Sequence, residues 1–227
     1  MEGCGVKAVI FDLDGTLVDS APDIVASANA LLTARGWDPL AYDLVRSFIG
    51  NGVPKLVERV MTARNIQNTA PEFQEWVAQF TAIYAANPVA NTVLYPGVAD
   101  LLARLTDMGV VLGVCTNKTF GLTMPVLQGL SIDGYFGSVI GGDTLAVKKP
   151  DPAPLRLCMD QLAATQTVYV GDSEVDAATA VAAGLPFALF TEGYRKSPVA
   201  LIPHQTAFSN HRHLGDSLEA MLELASV

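Results

Sequence analysis

Half of the 227 residues are hydrophobic and 16% are charged, which argues for a sizeable buried core and against intrinsic disorder. The net charge of −9, without a lysine- or arginine-rich run, disfavours nucleic acid and anionic membranes as partners. The chain has three scattered cysteines, Cys4, Cys115 and Cys158, a pattern that favours reduced thiols over a disulfide framework. No apolar run reaches membrane-spanning length, and no signal-peptide pattern is present. Together these features predict a cytoplasmic protein.

The first predicted element is a buried strand that ends in two acids, Asp12 and Asp14, followed by Gly15. Alternation along the strand predicts that both carboxylates point the same way, where they repel each other unless a cation or a shared proton is present. A carboxylate is also a nucleophile toward phosphorus. The alternative is an acidic turn beside a structural ion, although a calcium loop is disfavoured because Leu17 stands where such a loop has glycine.

The next part of the chain, residues 20–88, is predicted to be all helical. Ser20 is the expected cap and Pro22 the first-turn residue of its first helix. Helices are predicted over about residues 21–35, 39–48, 53–64 and 71–86. Trp76 lies on an apolar face and is assigned to a small core rather than to a ligand-stacking site. This pattern predicts an inserted helical domain, residues 20–88, beside a core formed by residues 1–19 and 89–227.

The remainder alternates strand and helix, which predicts an α/β fold with a doubly wound parallel sheet. Strands are predicted over about residues 110–115, 138–140, 167–170 and 187–190, and the last helix over residues 214–224. Ligands of such sheets bind at the carboxyl ends of the strands. Asp12, Asp14, Thr116 and Asp172 all follow strands, so they are predicted to share one site.

Two further candidate groups lie at a strand end and just before a backbone segment stiffened by prolines. The Thr116 hydroxyl and the backbone N–H of Asn117 suit phosphoryl oxygens, although without the other motifs an ordinary strand-end turn is the preferred interpretation. Lys149, which precedes two nearby prolines, supplies a positive charge; Lys148 is the adjacent alternative, and a solvated lysine pair is the plainer interpretation.

Asp172 and Asp176 are one helical turn apart and face the same way, although two acids at a helix N-terminus are also simple complements of the helix dipole. With Asp12 and Asp14, four carboxylates converge, and oxygen-only ligands favour magnesium over zinc. The histidines are predicted to lie on the surface: His204, His211 and His213.

The run from Asp12 to Ser20 resembles the first motif of the haloacid dehalogenase-like hydrolases, and three further motifs follow in that family's order: Thr116, Lys149-Pro150 and Gly171-Asp172. The resemblance implies a Rossmann-type core with a small helical cap domain inserted after the first strand. It implies a magnesium-dependent phosphatase in which Asp12 forms an aspartyl-phosphate and Asp14 is the acid and base.

The same resemblance implies roles for the other motif residues. Thr116 and Lys149 would hold the phosphoryl group, and Asp12, Asp172 and the Asp14 backbone carbonyl would hold magnesium. Asp176 would hold magnesium-bound water or Lys149. Asp19 is assigned to a hinge rather than to chemistry.

The run from Arg46 to Gly52 resembles the cap loop of bacterial phosphoglycolate phosphatases, which implies a small phosphorylated metabolite, 2-phosphoglycolate, as the substrate. The turn Gly50-Asn51-Gly52 begins a helix whose N–H groups suit an anion, and Arg46 and Lys55 are expected to add charge, although both also suit a solvated surface. A sugar-phosphate phosphatase or mutase and a non-catalytic phospho-ligand sensor stay open, whereas Asp14 disfavours a dehalogenase. Residues 194–210 match no pattern, and the oligomeric state is open.

Overall fold

The computed structural model describes residues 5–67 and 69–224. A six-stranded parallel sheet has the strand order β5-β4-β1-β6-β7-β8, and β2 and β3 form a separate antiparallel pair. The strands are β1 Lys7–Phe11, β2 Val18–Asp19, β3 Val93–Leu94, β4 Val111–Cys115, β5 Phe136–Ile140, β6 Gln166–Gly171, β7 Phe187–Phe190 and β8 Thr206–Phe208.

The described α-helices are α1 Ala21–Ala34, α2 Tyr42–Arg46, α3 Val53–Ala63, α4 Ala70–Ala86, α5 Val98–Asp107, α6 Phe120–Gly129, α7 Ala153–Gln161, α8 Glu174–Ala183 and α9 Leu214–Leu224. Alternate residues of β1 enter different cores: Val9 and Phe11 pack with α5, α6 and α9, whereas Ala8 and Ile10 pack with α7 and α8. Both faces of the sheet are therefore covered, which confirms the predicted doubly wound α/β fold.

Helices α1 to α4 bury their apolar faces in a third cluster, which includes Trp76, Phe80 and Tyr84 of α4. Trp76 is a core residue, as predicted. The two chain segments that join these helices to the sheet pair with each other, since Asp19 of β2 lies opposite Val93 of β3. The boundary of the helical block is thus a short two-stranded ribbon.

The predicted second helix is shorter than expected. It begins at Tyr42 rather than near Pro39, because the Asn29 side-chain amide donates to the Leu40 carbonyl and accepts from the Leu40 N–H. These bonds hold Leu40 outside the helix. At the end of α5, Met108 caps the helix and is exposed.

The surface assignment of the histidines is wrong for His211. Its ring is fully buried among Tyr95, Phe190 and Phe208, and burial lowers its pKa to about 4. His213 is exposed, and the three-residue strand β8 runs through the segment that matched no pattern.

Cys115 and Cys158 are buried free thiols, whereas Cys4 lies outside the described residues. Desolvation raises the pKa of Cys158 to about 11, so this thiol stays protonated at neutral pH. No described helix combines the length and the apolar composition needed to span a bilayer.

Candidate active site

The site begins where β1 ends. Gly15 has a φ of +88°, and a Cβ at this position would lie 2.6 Å from Asp172 Oδ2. Glycine is therefore required here both by the left-handed backbone and by the close approach of the loop to Asp172. The loop holds Asp12 and Asp14 against the ends of β4 and β6, as the topology predicted.

Asp12 and Lys149 form a buried ion pair. Lys149 Nζ lies 2.9 Å from Asp12 Oδ1 and 2.6 Å from Asp176 Oδ1, and it donates to the Tyr169 hydroxyl over 2.8 Å. Burial by itself lowers the pKa of Lys149, but the charges of Asp12 and Asp176 outweigh it and raise the pKa. Lys149 is therefore a fixed cation beside Asp12.

The two carboxylate oxygens of Asp176 have separate partners. Oδ2 accepts from the backbone N–H and the hydroxyl of Ser173, which caps α8, and Oδ1 accepts from Lys149. Asp176 therefore does two things at once: one oxygen complements the N-terminus of α8, and the other pairs with Lys149.

Asp172 lies across the same site. Its Oδ1 accepts from the Thr16 hydroxyl over 2.9 Å, and its Oδ2 accepts from the Tyr194 backbone N–H over 2.5 Å. Burial, reinforced by the charges of Asp176 and Asp12, raises the pKa of Asp172 well above its usual value. Two donors therefore do not offset the cost of placing this charge among other acids.

These residues fit a magnesium ion. One oxygen each of Asp12, Asp172 and Asp176 lies within 4.8 Å of the others, and all three side chains are buried. Burial also raises the pKa of Asp12 to about 6, in spite of Lys149. An all-oxygen set of crowded carboxylates is the donor chemistry of a hard divalent cation.

Asp14 faces a second lysine. Its Oδ1 accepts from the Ser20 hydroxyl over 2.6 Å, and Lys118 Nζ lies 3.0 and 3.1 Å from its two oxygens. Ser20 was expected to cap α1, but its hydroxyl is used for Asp14 instead. Lys118 also donates to the hydroxyl of Tyr84, in α4, over 2.8 Å.

A cavity of about 50 Å³ lies between the sheet and the helical block. Asp12, Asp14 and Thr116 line it on one side. Its remaining described lining residues are Ile24, Ile49, Gly50, Gly52, Val53, Leu56, Phe80, Tyr84, Asn117, Lys118 and Leu122. The cavity therefore joins the acids at the strand ends to an apolar wall of the helical block.

The substrate-binding candidates divide into two groups. Thr116, Asn117 and Gly50 line the cavity, and the Asn117 side-chain amide also donates to the carbonyls of Gly50 and Lys149 and so joins the helical block to the core. Asn51 is bonded on both sides, since its carbonyl accepts from Lys148 and its side-chain oxygen from Arg59.

The two expected cap cations do not line the cavity. Lys55 pairs with Glu58 over 2.7 Å on the exposed side of α3. Arg46 donates to the Gly193 carbonyl over 2.8 Å, and its guanidinium stacks 5.0 Å from the centre of the Tyr194 ring. Arg46 therefore ties the helical block to the core.

Three residues of the site were not found from the sequence. Lys118 follows Thr116 by two residues, and its place after a strand end was the available signal. Tyr84 lies two turns beyond Trp76 in α4, on a face whose apolar pattern indicates packing rather than a polar contact. Tyr194 falls in the segment that matched no pattern, yet its hydroxyl donates to Asp19 over 2.7 Å and accepts from the N–H groups of Ser20 and Ala21.

Comparison with known proteins agrees with this geometry. The family model for haloacid dehalogenase-like hydrolases matches residues 9–190. The chain belongs to the haloacid dehalogenase-like hydrolases. A phosphoglycolate phosphatase of Cereibacter sphaeroides is 48% identical over 217 residues, which are 96% of this chain and 100% of that protein. One from Rhodospirillum rubrum is 42% identical over 220 residues, covering 93% and 90%.

A solved structure from Haemophilus somnus, described as a predicted phosphoglycolate phosphatase, is also similar. It has a TM-score of 0.87 and 32% identity and covers 95% of this chain and 97% of that one. Family membership and identity to phosphatases over nearly the full length make this hydrolase a phosphoric monoester hydrolase.

Proposed function

We propose that this hydrolase is a magnesium-dependent phosphatase that converts 2-phosphoglycolate to glycolate through an aspartyl-phosphate. The observation that carries the proposal is the placement of two differently held acids on one cavity. Asp12 is paired with a fixed lysine, whereas Asp14 is held by Ser20 and Lys118. Similarity to phosphoglycolate phosphatases supports the choice of substrate.

Asp12 is the nucleophile in this proposal. One of its oxygens attacks phosphorus, and the bond from phosphorus to the ester oxygen breaks on the opposite side. Asp14 gives a proton to the leaving alkoxide. Asp14 then takes a proton from the water that attacks the aspartyl-phosphate, which releases inorganic phosphate and restores Asp12.

Lys149 and Thr116 orient the phosphoryl oxygens, and Asp176 keeps Lys149 in place. Asp12, Asp172 and the backbone carbonyl of Asp14 would hold magnesium. When bound, this ion balances the negative charge on the phosphoryl oxygens.

The helical block, residues 20–88, acts as a cap in this proposal. Ile49, Leu56 and Phe80 of the block face Asp12 and Thr116 across the cavity, so the block excludes water from the reacting phosphorus. The ribbon of β2 and β3, which contains Asp19, is the proposed hinge.

The buried thiols Cys115 and Cys158 are consistent with a cytoplasmic location.

Phosphate release from a panel of small esters, with and without magnesium, tests the proposal. We expect release from 2-phosphoglycolate with magnesium, and at least a tenfold lower kcat/KM, about 1.4 kcal/mol, for hexose phosphates and nucleotides. An isomerised sugar phosphate would indicate a mutase, and binding without turnover would indicate a sensor. A tenfold preference for a hexose phosphate would overturn the choice of substrate.

A further inference from the structure

Lys118 is the one cation among the described residues that line the cavity. The lysine at the phosphoryl end, Lys149, is already engaged by Asp12, Asp176 and Tyr169. Lys149 does not line the cavity and reaches it only through Asp12, so it is not placed to meet a second anion at the opposite end of the substrate. A second negative group on the substrate therefore has to be met elsewhere.

Lys118 keeps its charge in spite of burial. Its ammonium lies 3.0 and 3.1 Å from the two carboxylate oxygens of Asp14, and this opposite charge favours the protonated form. The Tyr84 ring also lies beneath the ammonium, with Nζ 4.4 Å from the ring centre. A protonated ammonium is thus present at the cavity wall at neutral pH.

The partners of Lys118 can share it with a ligand. Asp14 Oδ1 also accepts from the Ser20 hydroxyl, so Asp14 keeps a hydrogen bond when Lys118 turns a donor toward the cavity. Around the ammonium, most of the cavity wall is apolar: Ile24, Ile49, Val53, Leu56, Phe80 and Leu122. A charge that binds Lys118 there is poorly hydrated, which strengthens the ion pair.

We propose that Lys118 is a specificity-determining residue that binds a carboxylate at the end of the substrate opposite the phosphoryl group. This inference rests on the proposed phosphatase function, and it moves the anion receptor from Arg46 and Lys55 of the cap to the core. Tyr84 holds the Lys118 ammonium from α4. The carboxylate site is therefore complete only when the helical block lies against the sheet.

The wild-type protein provides the first test. Three esters of similar length differ in their far end: 2-phosphoglycolate has a carboxylate, 2-hydroxyethyl phosphate a hydroxyl and 2-aminoethyl phosphate an ammonium. We expect kcat/KM with magnesium to fall in that order, by about tenfold or more from the first to the second. Equal values, or a preference for the ammonium ester, would overturn the inference and leave the phosphatase assignment intact. Absence of release from all three would overturn both.

Substitution of Lys118 provides the second test. Lys118→Gln keeps an N–H donor for Asp14 but removes the charge, so the preference for 2-phosphoglycolate over 2-hydroxyethyl phosphate should disappear. Lys118→Arg should restore most of it. Lys55→Gln is the matched control, because it removes one lysine charge from a half-exposed position outside the cavity and should keep the preference.

The ratio of the two kcat/KM values separates carboxylate binding from an effect on Asp14. If Lys118→Gln lowers both values equally, Lys118 only positions Asp14 and the inference is overturned. If Lys118→Gln does not fold, the ratio in Lys118→Arg and the order of the three esters in the wild-type protein decide.

Discussion

Asp12 shows how surroundings decide the chemistry of one side chain. Burial raises its pKa to about 6, which favours the protonated and non-nucleophilic form, while the positive charge of Lys149 opposes that shift. Its neighbour Asp14 is held by a hydroxyl and a different lysine. The two acids, two residues apart, therefore suit different roles, one as nucleophile and one as proton carrier.

The nucleophile assignment predicts the result of Asp12→Asn. The amide cannot form the phosphoenzyme, so turnover should fall far below a tenth of the wild-type value, while the circular dichroism spectrum stays the same. A tenth corresponds to about 1.4 kcal/mol of barrier, and activity above that level would show that Asp12 is not the nucleophile. Mass spectrometry should exclude deamidation back to aspartate.

Asp23 is another buried acid, and its role is structural. Its carboxylate accepts hydrogen bonds from the backbone and side-chain groups of Asn91 and Thr92. These bonds hold α1 against the segment that leads from the helical block back to the sheet. Burial by itself raises the pKa of Asp23, but the hydrogen bonds from Asn91 and Thr92 outweigh it and leave the pKa below its usual value.

Replacement of Asp23 should destabilise the protein in a pH-dependent way. Asp23→Ala should lower the free energy of unfolding at pH 7 by about 1.5–3 kcal/mol, because charged hydrogen bonds are lost. Since the folded-state pKa is lowered, the contribution is present above the unfolded pKa of about 3.9 and is lost as the pH falls through the folded value. Urea unfolding between pH 7 and 3.5 should show the difference shrink. Asp43→Ala, at an exposed site, is the control, and a pH-independent difference would contradict the assignment.

At the scale of the element, α4 stabilises the helical block and contributes to the site. Trp76 and Phe80 are buried against α1 and α3, and the Arg35 guanidinium lies 4.5 Å from the centre of the Trp76 ring. One turn further along, Tyr84 reaches Lys118. The same apolar face thus serves packing along most of its length and the cavity at its end.

Trp76→Ala should therefore lower the free energy of unfolding by about 3–5 kcal/mol, the usual cost of truncating a buried aromatic residue. Trp37→Ala is the matched control, because Trp37 is 40% exposed, and it should change stability by about 0.5 kcal/mol or less. Equal losses in the two variants, measured by chemical denaturation, would show that the helical cluster does not depend on Trp76.

At the scale of the molecule, the charges of the site are unbalanced. The site has four carboxylates, and Lys118 and Lys149 are the cations that pair with them among the described residues. A divalent cation would restore the balance, and it would bind the folded state in preference to the unfolded chain because folding assembles the carboxylates.

Magnesium should therefore stabilise the protein as well as activate it. At about 100 times the dissociation constant, binding contributes about 2.7 kcal/mol, which corresponds to a rise in Tm of about 5–10 °C for a chain of this size. Chelation should abolish phosphate release, magnesium should restore it, and calcium should substitute poorly.

Asp172→Asn should remove most of the rise in Tm, whereas Asp43→Asn, at an exposed position, should retain it. Full activity in excess chelator would show that the reaction does not need a metal ion.

The sequence by itself determined the order of the elements and the acids at the strand ends. Apolar runs, Gly15 and the prolines are local signals, and parallel topology brings the carboxyl ends of strands to one edge. Asp12, Thr116 and Asp172 could therefore be grouped without coordinates. By the same local reasoning, α4 was recognised as a packing helix through Trp76.

Only the tertiary structure decided which groups meet across long separations. Lys118 contacts Tyr84 across 34 positions, Tyr194 contacts Asp19 across 175, and His211 is buried by rings from distant strands. Lys55 and Arg46, which looked equally suited to an anion, lie outside the cavity. Periodicity reports which face of an element is apolar, but it does not report what packs against that face. The charge and exposure of these side chains depend on those partners, and so on the fold.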